Sequence, residues 1–205
     1  MRPETSARIG AAYDVALLVY AVALGAGLGL ASALWMVEGD LPFGRQEAGP
    51  WHVWPQIGSR AADPYSRAIL ARTANIPLGA GEGLAFHATR DDAGRLLESD
   101  CVYILDGPIP PARYWTLTIY DEQGNLAGDG LESRSITSSA RVVRSENGAA
   151  QIVISRAPAP GNWIVPPTSQ RFEIVLRLYD TQAAGALTRF TASALPSILR
   201  EGCFS

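Results

Sequence analysis

Apolar and polar positions divide the chain into two unlike parts. From Val15 to Val37 no charged residue occurs, and no polar face interrupts the apolar run. At 1.5 Å per residue a helix of that length spans about 34 Å, enough for the bilayer core of about 30 Å. The pattern predicts a transmembrane helix at 15–37, after a short N-terminal segment at 1–14. A linker at 38–50 follows, because Gly39, Pro42, Gly44, Gly49 and Pro50 break regular structure there. The remainder, 51–205, is the length of one domain with its own core.

Within that domain one helix is predicted first. Asp63 suits the N-cap, Pro64 the first helical position, and Tyr65, Ile69, Leu70 and Ala74 repeat on one face. The helix should stop near Asn75, before Pro77. The period then changes to two. Leu84 to Arg90, Cys101 to Leu105, Tyr114 to Tyr120 and Phe172 to Tyr179 read as strands, with turns at Asp91 to Gly94 and Asp121 to Gly124. Arg141 to Arg144 and Gln151 to Ser155 flank Asn147-Gly148, a hairpin signal. The tail from Leu195 to Ser205 admits a short helix ending before Gly202. The fold class expected is mainly β: an antiparallel β-sandwich-like domain with one short helix, behind an N-terminal transmembrane helix.

Charge sets the orientation. Arg2 and Arg8 precede the span, whereas Glu38 and Asp40 follow it, so the N-terminus belongs in the cytoplasm and the domain outside. In a bacterium that places the anchor in the inner membrane and the domain in the periplasm. Ala31-Ser32-Ala33 offers a competing signal-peptidase site, but Val15 to Leu30 is long for a signal-peptide core of about 15 residues at most. The uncleaved anchor is preferred, and both readings export the domain. Ala21, Gly25, Gly29 and Ala33 form a small-residue stripe on the helix, which suits close packing against another membrane protein or a second copy of this chain.

Composition narrows the chemistry. The 205 residues carry a net charge of −3, so nothing marks a nucleic-acid binder. No lysine is present, which excludes Schiff-base chemistry and a phosphate-loop lysine. His52 and His87 stand in no metal-ligand spacing, and the sequence implies neither a metal nor another cofactor. His87 reads as a strand residue satisfied by its neighbours, and His52 as packed near the membrane surface. Cys101 and Cys203 are the only cysteines, and a disulfide between them suits an oxidising compartment.

Together, Gly58-Ser59, Asp63 to Ala68, Ile76 to Gly79, Glu82 to Phe86, Cys101 to Tyr103, Ala112 to Thr118, Tyr120-Asp121, Asn162-Trp163 and Leu176 to Asp180 resemble a bacterial family called domain of unknown function 1214. The resemblance runs over roughly Trp51 to Asp180. It implies a β-sandwich-like domain and brings no established activity. In longer relatives this domain follows a second one, number 1254, whose place is taken here by the membrane helix.

Three functional readings follow. The first is a non-catalytic interaction module or accessory subunit of an envelope complex, since no catalytic motif is present. The second is a glycan- or lipid-binding module, with Arg113, Tyr120, Asn162, Trp163, Arg177 and Tyr179 supplying aromatic faces and hydrogen bonds; Trp115 is assigned to the core. The third is a hydrolase, whose paired carboxylates would come from Glu82, Asp121 and Asp180.

Overall fold

The computed structural model describes residues 3–38, 43–73, 76–79, 81–127, 134–146, 150–182 and 190–204. The chain forms two compact units.

The first unit holds two helices, α1 (Pro3–Glu38) and α2 (Pro64–Thr73). From Tyr13 to Glu38, α1 is long and apolar enough to cross a membrane, and none of its most apolar stretch is buried. Ala21, Gly25, Gly29 and Ala33 are all exposed, and a Cβ on Gly25 or Gly29 would meet nothing within 4 Å. In α2, Ile69 is buried, Leu70 half-buried and Tyr65 exposed. Thr73 closes the helix by returning its hydroxyl to the Ile69 carbonyl at 2.9 Å. The expected stop at Asn75 lies outside the described residues.

The second unit is built of strands. One sheet holds β1 (Gln46–Ala48), β2 (Trp51–Val53), β3 (Gly83–Ala88), β5 (Tyr114–Asp121), β6 (Ile136–Ser138) and β9 (Phe172–Tyr179) in the order β1-β2-β3-β9-β5-β6, antiparallel throughout. The other holds β4 (Cys101–Asp106), β7 (Ile152–Ile154), β8 (Asn162–Ile164) and β10 (Ser197–Cys203) in the order β10-β4-β7-β8. Alternation sends Phe86, Leu117, Ile174 and Leu176 from the first sheet, and Tyr103, Leu105, Ile154 and Ile198 from the second, into one shared core. Trp115 belongs to that core, as its pattern predicts.

Four expectations need correction. The expected linker contains β1, which Gly49 at φ 64° folds back onto β2. Arg141 to Arg144 forms no strand: the Asn162 side chain takes the backbone of Val143, accepting its N–H at 2.6 Å and donating to its carbonyl at 2.8 Å. Asn147 and Gly148 themselves lie outside the described residues. The second sheet is mixed, because β7 and β8 run parallel. Seven residues, 155–161, return the chain between them; at about 3.3 Å each they reach well beyond the length of a three-residue strand. Finally, the tail is a strand. β10 pairs with β4, and a register shift between Arg200 and Gly202 hides its alternation from the sequence.

Buried charge fastens this tail. Asp91, 2% exposed, accepts hydrogen bonds from the Ala93 and Arg95 amides and from Arg95 Nε, while Arg200 Nε lies 3.3 Å from its Oδ2. Next to it, Asp92 exchanges two hydrogen bonds with Ile198. The Cys101–Cys203 disulfide closes the far end of the same strand pair.

Candidate functional site

The face of the six-stranded sheet opposite the core collects most of the domain's polar aromatic chemistry. Strand alternation places His87 on β3, Glu173, Val175, Arg177 and Tyr179 on β9, and Tyr114, Thr116, Thr118 and Tyr120 on β5 there. Register sets the rows: His52 opposite His87, His87 opposite Val175, and Val175 opposite Thr118. Val175 and Thr118 are buried; Glu173, Arg177, Tyr179 and Tyr120 are half-buried.

Two clusters form on this face. At β5 and β9, the guanidinium carbon of Arg177 lies 5.3 Å from the Tyr120 ring centroid, and the Tyr114 and Tyr179 rings lie 5.9 Å apart. Among the described residues no carboxylate forms an ion pair with Arg177. A cation resting on an aromatic face keeps its N–H edges for an acceptor, so the pair suits an anionic or hydroxyl-rich ligand.

The second cluster lies at β2 and β3. His52 and His87 stack with centroids 5.7 Å apart, and Trp54 meets both edge-on at 5.0 and 5.6 Å. His87 Nδ1 is 2.9 Å from Glu173 Oε1. Burial pushes His52 down to about 4, helped by the positive charge of Arg45 and by His87, with Glu173 opposing. The stacked imidazole is therefore neutral at pH 7. Trp54 Nε1 is buried there and has no hydrogen-bond partner among the described residues.

The six expected ligand residues divide between the sheets. Tyr120, Arg177 and Tyr179 share the face just described. Arg113 stands at its end, 3.8 Å from Asp180 in an exposed ion pair. Asn162 and Trp163 sit on β8 in the other sheet. Asn162 is occupied in holding Val143 and the Gln151 carbonyl, and Trp163 donates to the Ser155 carbonyl at 2.9 Å beneath the Arg134 guanidinium. His52, Trp54, His87 and Glu173 are the residues that sequence reasoning did not place together. The available signal was the alternation of β3 and β9, which assigns His87 and Glu173 to the polar face.

The three acids expected of a hydrolase do not converge. Asp180 and Glu82 meet at one end of β9, where the Asp180 amide donates to the Glu82 carbonyl. Asp121 pairs with Phe172 at the other end, roughly 25 Å away at about 3.3 Å per residue. Paired glycosidase carboxylates stand within about 10 Å. Each acid also has a local task. Glu82 accepts the Gly79 amide, and Asp121 accepts the amides of Gln123 and Asn125. Desolvation raises the Asp121 carboxyl, but hydrogen bonds from Asn125, Gln123 and Gly124 outweigh it and leave it below the ordinary value.

The molecule is thus a two-sheet β domain with an apolar N-terminal helix. Residues 82–183, almost half of the chain, match the family described as protein of unknown function (DUF1214). Among solved structures it is similar to the VPA0106 protein from Vibrio parahaemolyticus, with 18% identity and a TM-score of 0.54 over 68% of this chain and 36% of that one. It is also similar to an uncharacterized protein from Burkholderia cenocepacia, with 14% identity and a TM-score of 0.41 over 58% of this chain and 30% of that one. The first likeness shows a shared fold, and this chain spans about a third of either protein's length. No curated protein matches the chain.

Proposed function

We propose that the protein is a single-pass inner-membrane protein of a bacterial envelope whose periplasmic β domain is a non-catalytic interaction module or accessory subunit. One conjunction carries this reading: an uncovered apolar helix, α1, stands ahead of a β unit closed by a disulfide. A disulfide persists in an oxidising compartment, and Arg2 and Arg8, ahead of the apolar span, favour a cytoplasmic N-terminus. The exposed stripe of Ala21, Gly25, Gly29 and Ala33 supports a helix partner, either another membrane protein or a second copy. Alkaline phosphatase fused after Ser205 should be active in intact cells, and an inactive but stably produced fusion would reverse the topology. The tagged full-length protein, purified from native membranes, should bring down a stoichiometric partner that Gly25→Ile with Gly29→Ile releases.

Arg177 over Tyr120, with no carboxylate partner among the described residues, favours a second reading, an envelope glycan or anionic lipid bound on the six-stranded sheet. The purified full-length protein should then show saturable binding that Arg177→Ala abolishes. Unchanged binding by that variant would remove the face from consideration.

A further inference from the structure

The disulfide that ties β4 to β10 is chemically lopsided. Cys101 is 2% exposed and lies in the core, whereas Cys203 is exposed. Their polar neighbours differ in sign. Arg200 Nη1 lies 3.8 Å from Cys203 Sγ, and Glu98 Oε2 lies 3.7 Å from Cys101 Sγ. Arg200 is fixed in place. Its Nε is 3.3 Å from Asp91, its Nη1 is 3.2 Å from Glu98, its Nη2 donates to the Leu96 carbonyl, and the guanidinium rests on the Tyr103 ring.

Glu98, Cys101 and Cys203 bring three donor atoms within 4.8 Å, a set that would suit a soft divalent ion once both thiols were free. The guanidinium argues against that use, because a held positive charge already touches the carboxylate and one sulfur. Its effect is to favour an anionic sulfur at Cys203. Glu98 does the opposite at Cys101, favouring the neutral thiol and offering a base to it.

We propose that Cys203 is the sulfur through which this pair exchanges with an external disulfide or dithiol, with Cys101 as the resolving thiol. In the reduced protein the Cys203 thiolate attacks one sulfur of an external disulfide. That S–S bond breaks, a mixed disulfide forms at Cys203, and the second external sulfur leaves as a thiolate. The Cys101 thiol then passes its proton to the Glu98 carboxylate, attacks Cys203 Sγ and expels the first external sulfur. Two electrons have moved from the cysteine pair to the external disulfide, which ends as two thiols. Reduction retraces the path: an external thiolate attacks Cys203 Sγ and the electron pair returns to Cys101.

The test uses the full-length chain in detergent micelles, reduced and then exposed to oxidised glutathione, with adducts read by intact mass. Cys101→Ser should accumulate a glutathione adduct at Cys203 at least about tenfold faster than Cys203→Ser accumulates one at Cys101. Equal rates, or faster reaction at Cys101, overturn the assignment. In the Cys101→Ser background, Arg200→Gln should move the pH midpoint of adduct formation upward, and Arg200→Lys should hold it. An unmoved midpoint for Arg200→Gln with unchanged circular dichroism overturns the role of the guanidinium. If Arg200→Gln fails to fold, the comparison of the two serine variants still decides the proposal.

Discussion

Arg177 and Tyr120 meet along the β5–β9 pair although neither is the other's register partner. Arg177 lies opposite Thr116 and Tyr120 opposite Glu173, so the two side chains lean toward each other along the strands. A half-buried cation–π contact is worth about 1 kcal/mol. Arg177→Gln should therefore lower unfolding stability by no more than about that amount, measured by urea titration with tryptophan fluorescence. A much larger loss would make Arg177 a structural residue and weaken its reading as a ligand group.

His52 makes stability depend on pH. Its folded-state value of about 4 lies below the unfolded 6.5, so the unfolded chain binds the extra proton first. This contribution is full above about pH 6.5 and falls away as pH drops toward 4, by about 3 kcal/mol at most. The urea midpoint should decline across that window, and His52→Gln should flatten the decline. An equally steep decline in the variant would place the acid sensitivity elsewhere.

Gly83 is a steric necessity. A Cβ there would run into the Leu178 carbonyl oxygen across the β3–β9 pair, whereas one on Gly81 would meet open space. Gly83→Ala should cost about 1–3 kcal/mol, while Gly81→Ala should change stability by less than about 0.5 kcal/mol. Equal effects in thermal melts would contradict this account.

Asn162 binds backbone. Asn162→Asp replaces the donor that serves the Val143 and Gln151 carbonyls with an acceptor, and should destabilise by about 1–3 kcal/mol. Asn162→Leu, which also removes the oxygen that accepts the Val143 amide, should raise hydrogen exchange at Val143. Exchange unchanged there would leave the segment supported by other contacts.

Much of this architecture was written locally. β3, β4, β5 and β9 stand where alternation put them, because each has one face in the shared core. The missing pieces depend on distant partners. Nothing near Val143 announces that Asn162 will take its hydrogen bonds, and the bulge between Arg200 and Gly202 spoils the period by which β10 would be recognised. The polar face follows the same rule. Alternation puts Arg177, Tyr179 and Tyr120 on one side of their strands, but the meeting of His52 with His87 arises only from the register of β2 on β3. Pairing across strands is a tertiary property, and local pattern is silent about it.

The Asp91 carboxylate should be among the costliest to remove. Asp91→Asn would leave Arg200 buried with half its charge partners gone, a loss of about 3–5 kcal/mol. Chemical denaturation of that variant beside Asp92→Asn would separate charge loss from loss of a turn hydrogen bond.

The pairing of β4 with β10 also dictates a timetable. The two cysteines are 102 positions apart, and every other strand of the second sheet lies between their strands in sequence. As the chain emerges, β4 can find β7, but its other edge stays bare until β10 arrives. A half-finished sheet with an unpaired edge is prone to intermolecular association. Slow delivery of the last strand would thus expose the protein to capture by chaperones or by its own copies, and truncation ahead of Ser197 would make that exposure permanent.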